Sequence, residues 1–223
     1  DPAEALADED LGLANVILTN GARLYVDHAH PEYSTPECSN ALELVCADKA
    51  GERILARSMI AARHLVGAGQ EVVVYKNNSD GKGNSYGTHE NYLVDRSVPF
   101  STLVRHMIPW FVTRQIFCGA GKVGSEHGAA EAVFQVSQRA DFFEEEVGLE
   151  TTLKRPIVNT RDEPHCDPQK YRRLHVIVGD ANLCEVATFL KVGTTAVVLS
   201  IVEDGFIDKD LSLASPVPTM RKL

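Results

Sequence analysis

NGARLYVDHAHPEYSTPEC, residues 20–38, is the stretch that decides the fold, because it combines a strong turn signal with many ionisable side chains. Its opening pair, Asn20-Gly21, predicts a type I′ β-turn, since both central positions of that turn need residues that tolerate positive φ. A hairpin is therefore expected, with one strand over residues 15–19 and another beginning near residue 23. Alternate side chains of a strand share a face. The polar face of the second strand holds Arg23, Tyr25 and Asp27.

Residues 28–33 continue this polar character with two histidines, a glutamate and a tyrosine. Pro31 has no backbone N–H, and the strand is predicted to end there. Two carboxylates, two imidazoles, two phenols and one guanidinium thus gather at one strand end. A turn with solvated charges is the alternative interpretation. The density of ionisable groups beside an apolar strand favours a functional site.

Composition restricts the class of protein. The 223 residues are 44% hydrophobic and 24% charged, which is ordinary for a soluble globular protein of one large or two small domains. A net charge of -9 disfavours a nucleic-acid partner bound through its phosphates. No apolar run approaches the roughly 18 residues that span a membrane, and no signal peptide is apparent, so we expect no membrane partner and a cytoplasmic location. Five cysteines without CxxC or zinc spacing are interpreted as reduced thiols.

The remaining pattern predicts an α+β fold: a hairpin-rich, mostly antiparallel sheet with helices packed on one face. Ser39 and Asn182 are the expected N-caps of the first and last helices. Helices are predicted over residues 41–66, 99–114 and 183–201. Strands are predicted over residues 71–76, 86–94, 134–143, 154–160 and 171–180, with a hairpin joining the first two of these. Residues 208–223 are expected to form a tail that leaves the core.

Four segments carry a resemblance to a known family. They are DHAHPEYS at 27–34, SYGTHENYLVDRS at 85–97, RPIVNTRDEPHCDPQKYRRLHVIVGDAN at 155–182 and EVATFLKVGTTAVVL at 185–199. The chain resembles the family of Pup ligases and Pup deamidases, carboxylate-amine ligases related to glutamine synthetase that act on Pup, the prokaryotic ubiquitin-like protein. The first segment is similar to the deamidase (depupylase), because the ligase segment is one residue longer and lacks the first histidine.

The resemblance implies a glutamine-synthetase-like catalytic platform that takes ATP and Mg²⁺ as cofactors. Asp27 matches the catalytic aspartate of the family. Oxygen ligands and imidazoles suit the metal, and guanidinium groups suit phosphates. A half-buried structural histidine is the alternative for each strand histidine. The implied metal residues are Tyr25, Glu32, His89 and His175, and the implied nucleotide contacts are Arg23, Thr35, Arg139, Arg161 and Arg173.

The implied reaction is hydrolysis at a carboxamide carbon, with ATP as a cofactor that is not consumed. Its substrates are the C-terminal glutamine of Pup and the isopeptide bond between Pup and a substrate lysine. Asp27 either activates water or attacks the carbonyl directly. Two alternatives stay open. One is the Pup ligase reaction, and the other is a non-catalytic fragment that needs a complementary chain.

Family members are about twice as long as this chain. They begin with a strand that carries a Glu-x-Glu pair and end with a smaller C-terminal domain, and neither is recognised in these 223 residues. Residues 1–12 are thus expected to be the end of a mobile loop, 13–207 the central part of the catalytic domain and 208–223 a tail. The expected partners are Pup, pupylated proteins and a complementary N-terminal segment or chain.

Overall fold

The computed structural model describes residues 15–27, 30–126 and 128–223, so the expected mobile loop over residues 1–12 lies outside the described residues. The chain divides into two compact units, an N-terminal unit (residues 1–75) and a C-terminal unit (residues 76–223). The described part of the N-terminal unit contains β1 (Asn15–Ile17), β2 (Arg23–Asp27), β3 (His30–Ser34) and α1 (Ala41–Ala62).

The C-terminal unit has a longer series of elements. They are β4 (Glu90–Asp95), α2 (Phe100–Thr113), α3 (Gln115–Cys118), β5 (Lys122–Val123), β6 (Phe134–Gln135), a 3₁₀ turn (Ala140–Phe142), β7 (Phe143–Gly148), β8 (Arg155–Asn159), β9 (Tyr171–Val176), α4 (Glu185–Glu203) and α5 (Pro216–Lys222). This mixture of helices and small sheets confirms the α+β class.

The predicted hairpin between β1 and β2 is present, but its turn is not type I′. Gly21 has a φ of +81°, whereas Asn20 does not share that positive φ. Gly21 N–H donates to the Leu18 carbonyl at 2.9 Å, and Leu18 N–H donates to the Ala22 carbonyl at 2.8 Å. A tight turn followed by a left-handed glycine is the usual three-residue hairpin loop. Asn20 acts through its side chain, whose Oδ1 accepts from Ala22 N–H at 3.1 Å.

The prediction that Pro31 ends the strand is wrong. Pro31 lies inside β3, which pairs antiparallel with β2 and places Pro31 opposite Val26. The order of this sheet is β1-β2-β3, so β3 is an edge strand. An edge strand accommodates proline because one side of its backbone has no strand partner.

Helix α1 begins at Ala41 as predicted and ends at Ala62, but its N-cap is one residue later than expected. Its N-cap is Asn40, whose Oδ1 accepts from Glu43 N–H at 3.0 Å. The predicted cap, Ser39, instead donates from its backbone N–H and its hydroxyl to Glu43 Oε2, at 2.9 and 2.7 Å. This reciprocal arrangement satisfies donors at the first turn of the helix.

The strand predicted over residues 71–76 is not formed, and neither is its hairpin with the next strand. The segment lies in no sheet, and Val73 and Tyr75 are 45% and 78% exposed. β4 pairs with β9 instead, antiparallel, with Asn91 opposite His175. An apolar run of this kind indicates a preference for extended backbone, but it does not determine which strand will pair with it. Here β4 takes β9 as its partner, and residues 71–76 join no sheet of the described structure.

The sheets of the C-terminal unit are three separate pairs rather than one. β4–β9 and β5–β6 are antiparallel, and β7–β8 is parallel. The strand predicted over residues 134–143 is broken into β6, the 3₁₀ turn and the start of β7. Its middle is held by the buried Asp180, which accepts from the Ser137 hydroxyl and from Gln138 N–H, both at 2.9 Å. Those bonds replace the ladder of a continuous strand.

The core of the C-terminal unit lies where α2, β4, β8, β9 and α5 pack together. Leu103, Met107 and Phe111 form the buried stripe of α2, as their helical spacing predicts. The expected tail is wrong for residues 216–222. Met220 is 1% exposed, and the Arg221 guanidinium donates to the Phe143 carbonyl at 2.6 Å. A helix of about two turns docks this segment on the core.

Helix α4 begins after Cys184, its N-cap, rather than at Asn182, which is buried and donates to the Cys118 carbonyl at 3.0 Å. Contrary to the expectation from the sequence, α4 is long and apolar enough to cross a membrane by length and composition alone. Core helices pass the same test. Lys191 and Thr195 on α4 are buried, and Lys191 Nζ donates to the Asp180 carbonyl at 2.7 Å. One face of α4 therefore packs on the core, whereas Val186 and Val197 on the same helix are 63% and 60% exposed.

Candidate functional site

The polar residues of the hairpin meet on one face of the N-terminal sheet, here called the hairpin site (Arg23, Tyr25, Asp27, Glu32). The antiparallel register places Tyr25 opposite Glu32. The Tyr25 hydroxyl donates to Glu32 Oε2 at 2.6 Å. The Arg23 guanidinium carbon lies 4.4 Å from the centroid of the Tyr25 ring, and its Nε donates to Asn15 Oδ1 at 2.7 Å. The alternation of β2 therefore builds the row of side chains that the sequence predicts.

The electrostatics of the hairpin site keep its phenol protonated. Burial raises the pKa of Tyr25, and the hydrogen bond and negative charge of Glu32 raise it further. The site thus presents a neutral phenol oxygen beside a carboxylate. Carboxylate oxygens are ligands that Mg²⁺ prefers, so the Glu32 carboxylate fits the implied cation.

Asp27 is the last residue of β2, and its side chain is exposed. It lies two register pairs beyond Tyr25, opposite His30. His28, the residue that favours the deamidase on sequence grounds, lies outside the described residues. Thr35 follows β3 directly and is partly buried. The N-terminal unit therefore brings five of the predicted residues onto two paired strands and the residue that follows them.

The two predicted histidines lie together in the C-terminal unit, where they form the histidine site (His89, His175). His175 is on β9 as expected, whereas His89 directly precedes β4. Their ring centroids are 5.2 Å apart and the ring planes are nearly perpendicular, at 89°. His175 Nδ1 is 2.8 Å from Asn91 Oδ1. Its Nε2 is buried and has no hydrogen-bond partner among the described residues.

The His175 ring is neutral across the physiological pH range. Burial lowers its pKa to about 3, and the nearby positive charges of His89, Arg173 and Arg161 act in the same direction. A neutral imidazole with a buried, unpaired nitrogen is the form that binds a metal or accepts a hydrogen bond. The histidine site thus also fits a cation.

Two of the predicted arginines lie near the histidine site. Arg173 donates from Nη2 to Glu163 Oε2 at 2.8 Å and from Nη1 to Asn91 Oδ1 at 3.4 Å. Arg161 and Arg173 line a cavity of about 280 Å³. The other residues of its wall are Phe100, Thr160, Asp162 and Arg172. The three arginines in this wall suit an anionic ligand such as a phosphate.

Arg139 is placed differently. It is buried, and it donates from Nε to Ser85 Oγ at 3.0 Å and from Nη1 to the carbonyls of Ile177 and Gly179. Burial lowers its pKa to about 10. These contacts favour a structural role in which Arg139 holds the segment after β9, and a phosphate contact stays a prediction.

A buried ion pair that sequence reasoning missed lies directly after His89. Glu90 accepts two hydrogen bonds from Arg114, at 2.5 and 2.8 Å, and one from the Tyr92 hydroxyl at 2.5 Å. Arg114 also donates to Thr195 Oγ1 at 2.9 Å. Burial alone would raise the pKa of Glu90, but the charge of Arg114 outweighs it and holds the pKa below its usual value. The available signal was that Glu90 shares one face of β4 with Tyr92 and Val94, which are both buried.

An α+β scaffold that carries carboxylate, phenol, imidazole and guanidinium groups is typical of enzymes that bind nucleotides with divalent cations. The chain belongs to the Pup-ligase protein family, whose model matches residues 1–223. This is the family that the four sequence segments predict.

Similarity to the two branches of the family is unequal. The chain is 66% identical to a depupylase of Acidothermus cellulolyticus over 221 residues, which is 99% of this chain and 44% of that protein. It is 56% identical to a Pup deamidase/depupylase of Mycolicibacterium smegmatis, covering 97% of this chain and 43% of that one. It is 51% identical to a Pup–protein ligase of the same organism, covering 94% and 47%. The chain thus spans about half the length of the curated relatives it matches.

Solved structures share the fold. The structure of the Pup ligase PafA in complex with ADP matches with a TM-score of 0.83 and 41% identity, covering 100% of this chain and 50% of that one. A crystal structure of the complex between Pup and PafA matches with the same TM-score and identity, covering 98% and 44%. The matched relatives extend well beyond this region within one chain, which does not support the predicted complementary second chain.

Proposed function

We propose that this chain is the central part of the catalytic domain of an ATP-dependent amidase. The amidase deamidates the C-terminal glutamine of Pup and cleaves the isopeptide bond between Pup and a substrate lysine, with ATP as a cofactor that is not consumed. The observation that carries the proposal is the hairpin site. Asp27 lies there on the same sheet face as Tyr25 and Glu32, whose side chains are hydrogen-bonded to each other. The identity of 66% to a depupylase, against 51% to a ligase, favours this reaction.

The cofactors follow from the donor sets. Tyr25 and Glu32 would hold one Mg²⁺, and His89 and His175 would provide nitrogen ligands. The described residues contain no group of three or more His, Cys, Asp or Glu that could hold a metal. Magnesium sites in proteins commonly combine one or two carboxylates with substrate phosphates and water, and a bound nucleotide would supply such phosphate ligands here. When bound with ATP, Mg²⁺ would supply the positive charge that polarises the amide carbonyl. The proposed nucleotide contacts are Arg23, Thr35, Arg161 and Arg173, with Arg139 acting through the segment that it holds.

Asp27 acts on the carbonyl carbon of the scissile amide. As a general base, it takes a proton from water, and the hydroxide adds to the carbonyl. As a nucleophile, its carboxylate adds to the carbonyl and expels the amine, and water then hydrolyses the anhydride. In both routes the C–N bond breaks, the amine leaves with a proton and a carboxylate forms on Pup. Exposure of Asp27 at the end of β2 gives a protein substrate access to it.

The partners of the proposed enzyme are Pup and pupylated proteins, and its location is the cytoplasm. We propose no nucleic-acid or membrane partner, in agreement with the net charge of -9. The ligase reaction is the second candidate, favoured by the structural match to PafA. It differs in a measurable way, because a ligase releases ADP in step with each conjugate formed.

The test is intact-mass analysis of Pup ending in glutamine after incubation with the protein, ATP and Mg²⁺. The proposal predicts conversion to the glutamate form without stoichiometric ADP. Asp27→Asn abolishes the conversion and preserves nucleotide affinity, whereas the control Asp204→Asn, at the exposed end of α4, has no effect. Stoichiometric ADP with conjugate formation establishes the ligase instead. If neither product forms and nucleotide binding is also lost, the proposal of an active site in this chain is refuted.

The two roles of Asp27 are separated by rapid-quench mass spectrometry. A nucleophile predicts a transient covalent adduct between Pup and the peptide that contains Asp27. A general base predicts turnover with no such adduct at any quench time.

A further inference from the structure

The geometry points to Asn91 as the positioning residue of the histidine site: its side-chain oxygen fixes the orientation and tautomer of His175, so that Nε2 presents a lone pair to the ligand. This inference rests on the proposed function, which makes His175 a metal ligand. Asn91 lies within the segment GTHENY, two residues after His89, and no pattern in the sequence separates it from an ordinary strand residue.

The backbone brings Asn91 to His175. The two residues are direct partners in the antiparallel register of β4 and β9, so their side chains leave the same face of the pair. Asn91 Oδ1 lies 2.8 Å from His175 Nδ1, a normal hydrogen-bond distance. The neighbouring partner on β9, two residues away on the same face, is Arg173, opposite Leu93.

Arg173 decides which atom of the Asn91 amide faces the imidazole. Its Nη1 lies 3.4 Å from the same Oδ1 atom. A guanidinium only donates hydrogen bonds, so the atom that it contacts must be the carbonyl oxygen of the amide and not the NH₂ group. An oxygen at that position only accepts. His175 must then donate from Nδ1, which makes Nδ1 the protonated nitrogen of the neutral ring.

The opposite tautomer is excluded on the same grounds. With the proton on Nε2, the lone pair of Nδ1 would face the lone pairs of Asn91 Oδ1 at 2.8 Å. With the proton on Nδ1, Nε2 is an acceptor. It is buried without a partner among the described residues, so this nitrogen can accept a hydrogen bond or bind a cation.

The arrangement is the one by which proteins orient metal-binding histidines. A ligating imidazole donates its other N–H to a carbonyl or carboxylate oxygen, and this fixes the tautomer and the ring plane. The ring of His89 is nearly perpendicular to that of His175, and its centroid is 5.2 Å away, so a second imidazole lies beside His175. Asn91 itself touches neither the metal nor the substrate in this scheme. It acts through His175.

The test compares three variants of the full chain, labelled with ¹⁵N at histidine. Asn91→Leu removes the acceptor, Asn91→Asp keeps an acceptor for both His175 and Arg173, and Leu93→Ala is the control on the same face of β4. Long-range ¹H–¹⁵N correlation spectra give the tautomer, with His175→Gln identifying the signals. Electron paramagnetic resonance titration with Mn²⁺, in the presence of ATP, gives the metal affinity.

We expect His175 to be protonated at Nδ1 in the wild type, in Asn91→Asp and in Leu93→Ala, and to populate both tautomers in Asn91→Leu. The affinity for Mn²⁺ should fall about 10- to 100-fold in Asn91→Leu and stay within about twofold in the other two. Protonation at Nε2 in the wild type, or an unchanged tautomer in Asn91→Leu, overturns the inference. A changed tautomer with unchanged Mn²⁺ affinity leaves Asn91 as the positioning residue and refutes the metal role of His175 in the proposed function.

Discussion

Removal of Arg114 should destabilise the C-terminal unit by about 3 kcal/mol. The side chains of Arg114 and Glu90 are 0% and 4% exposed, so Arg114→Met leaves a carboxylate buried without its main counter-charge. Loss of one partner of a buried pair costs about 3–5 kcal/mol. The lower end applies here, because the Tyr92 hydroxyl still donates to Glu90 and the charge of Lys191 still acts on it.

The assay is urea unfolding followed by tryptophan fluorescence. Trp110 is the single tryptophan of the chain, and its indole N–H donates to Thr195 Oγ1 at 3.0 Å, so its emission reports on this unit. The control is Arg105→Met on the same helix, whose ion pair with Asp210 is 3.7 Å long and more than half exposed. An exposed pair contributes about 0–1 kcal/mol.

The pH dependence gives an independent check. In the wild type, the pKa of Glu90 is held below 4.5, so its pair stabilises the fold above that pH and the contribution is lost as the pH falls. Without Arg114, burial favours the protonated carboxyl, and the loss of stability shrinks as the pH falls from 7 towards 4.5. The double variant Arg114→Met/Glu90→Gln should recover most of the loss at pH 7. A loss below about 1 kcal/mol, or no recovery in the double variant, refutes this account of the buried pair.

Three further predictions concern the docked helix, the hairpin turn and the histidine site. Met220→Ala should lower the free energy of unfolding of the C-terminal unit by about 2–5 kcal/mol, measured by Trp fluorescence. The control Leu211→Ala, at an exposed position, should lower it by less than about 0.5 kcal/mol. Equal effects of the two substitutions would contradict a docked α5. Gly21→Ala, at a φ of +81°, should cost about 1–2 kcal/mol and speed amide exchange in the hairpin, whereas Gly67→Ala, at a position without positive φ, should not affect it. The His175 ring should show no titration in NMR spectra between pH 5 and 8. Because its folded pKa of about 3 lies below the ordinary 6.5, stability should decrease as the pH falls from 6.5 towards 3, and a midpoint near 6.5 would contradict the burial of the ring.

Local signals in the sequence predicted the hairpin site well. Asn20-Gly21 located the turn, and the alternation of β2 placed Arg23, Tyr25 and Asp27 on one face, because both depend on the backbone of a few neighbouring residues. The turn type was wrong, since Asn20 contributes a side-chain hydrogen bond that a rule based on φ does not include. Pro31 was misjudged because its effect depends on whether its strand lies at an edge, which is a property of the whole sheet.

Features set by distant partners were not predictable in this way. Residues 71–76 have the composition of a strand, but β4 pairs with β9 and leaves them in no sheet. Arg139 was assigned to phosphates by resemblance, and only the structure shows it surrounded by backbone carbonyls. Nothing in the sequence around Arg114 predicted that it is buried. Its burial depends on the ion pair with Glu90, which is 24 residues earlier in the chain.

The pairing of β4 with β9 has a consequence for the order of events during synthesis. Asn91 and His175 are direct partners although they are 84 positions apart in the chain. At a translation rate of about 5–20 residues per second, β4 waits about 4 to 17 s on the ribosome before its partner is made. During this interval its apolar side chains and unpaired backbone are available to chaperones or to a neighbouring nascent chain. The histidine site therefore cannot assemble while β4 emerges, and its two halves meet only after the intervening helices and strands have been synthesised.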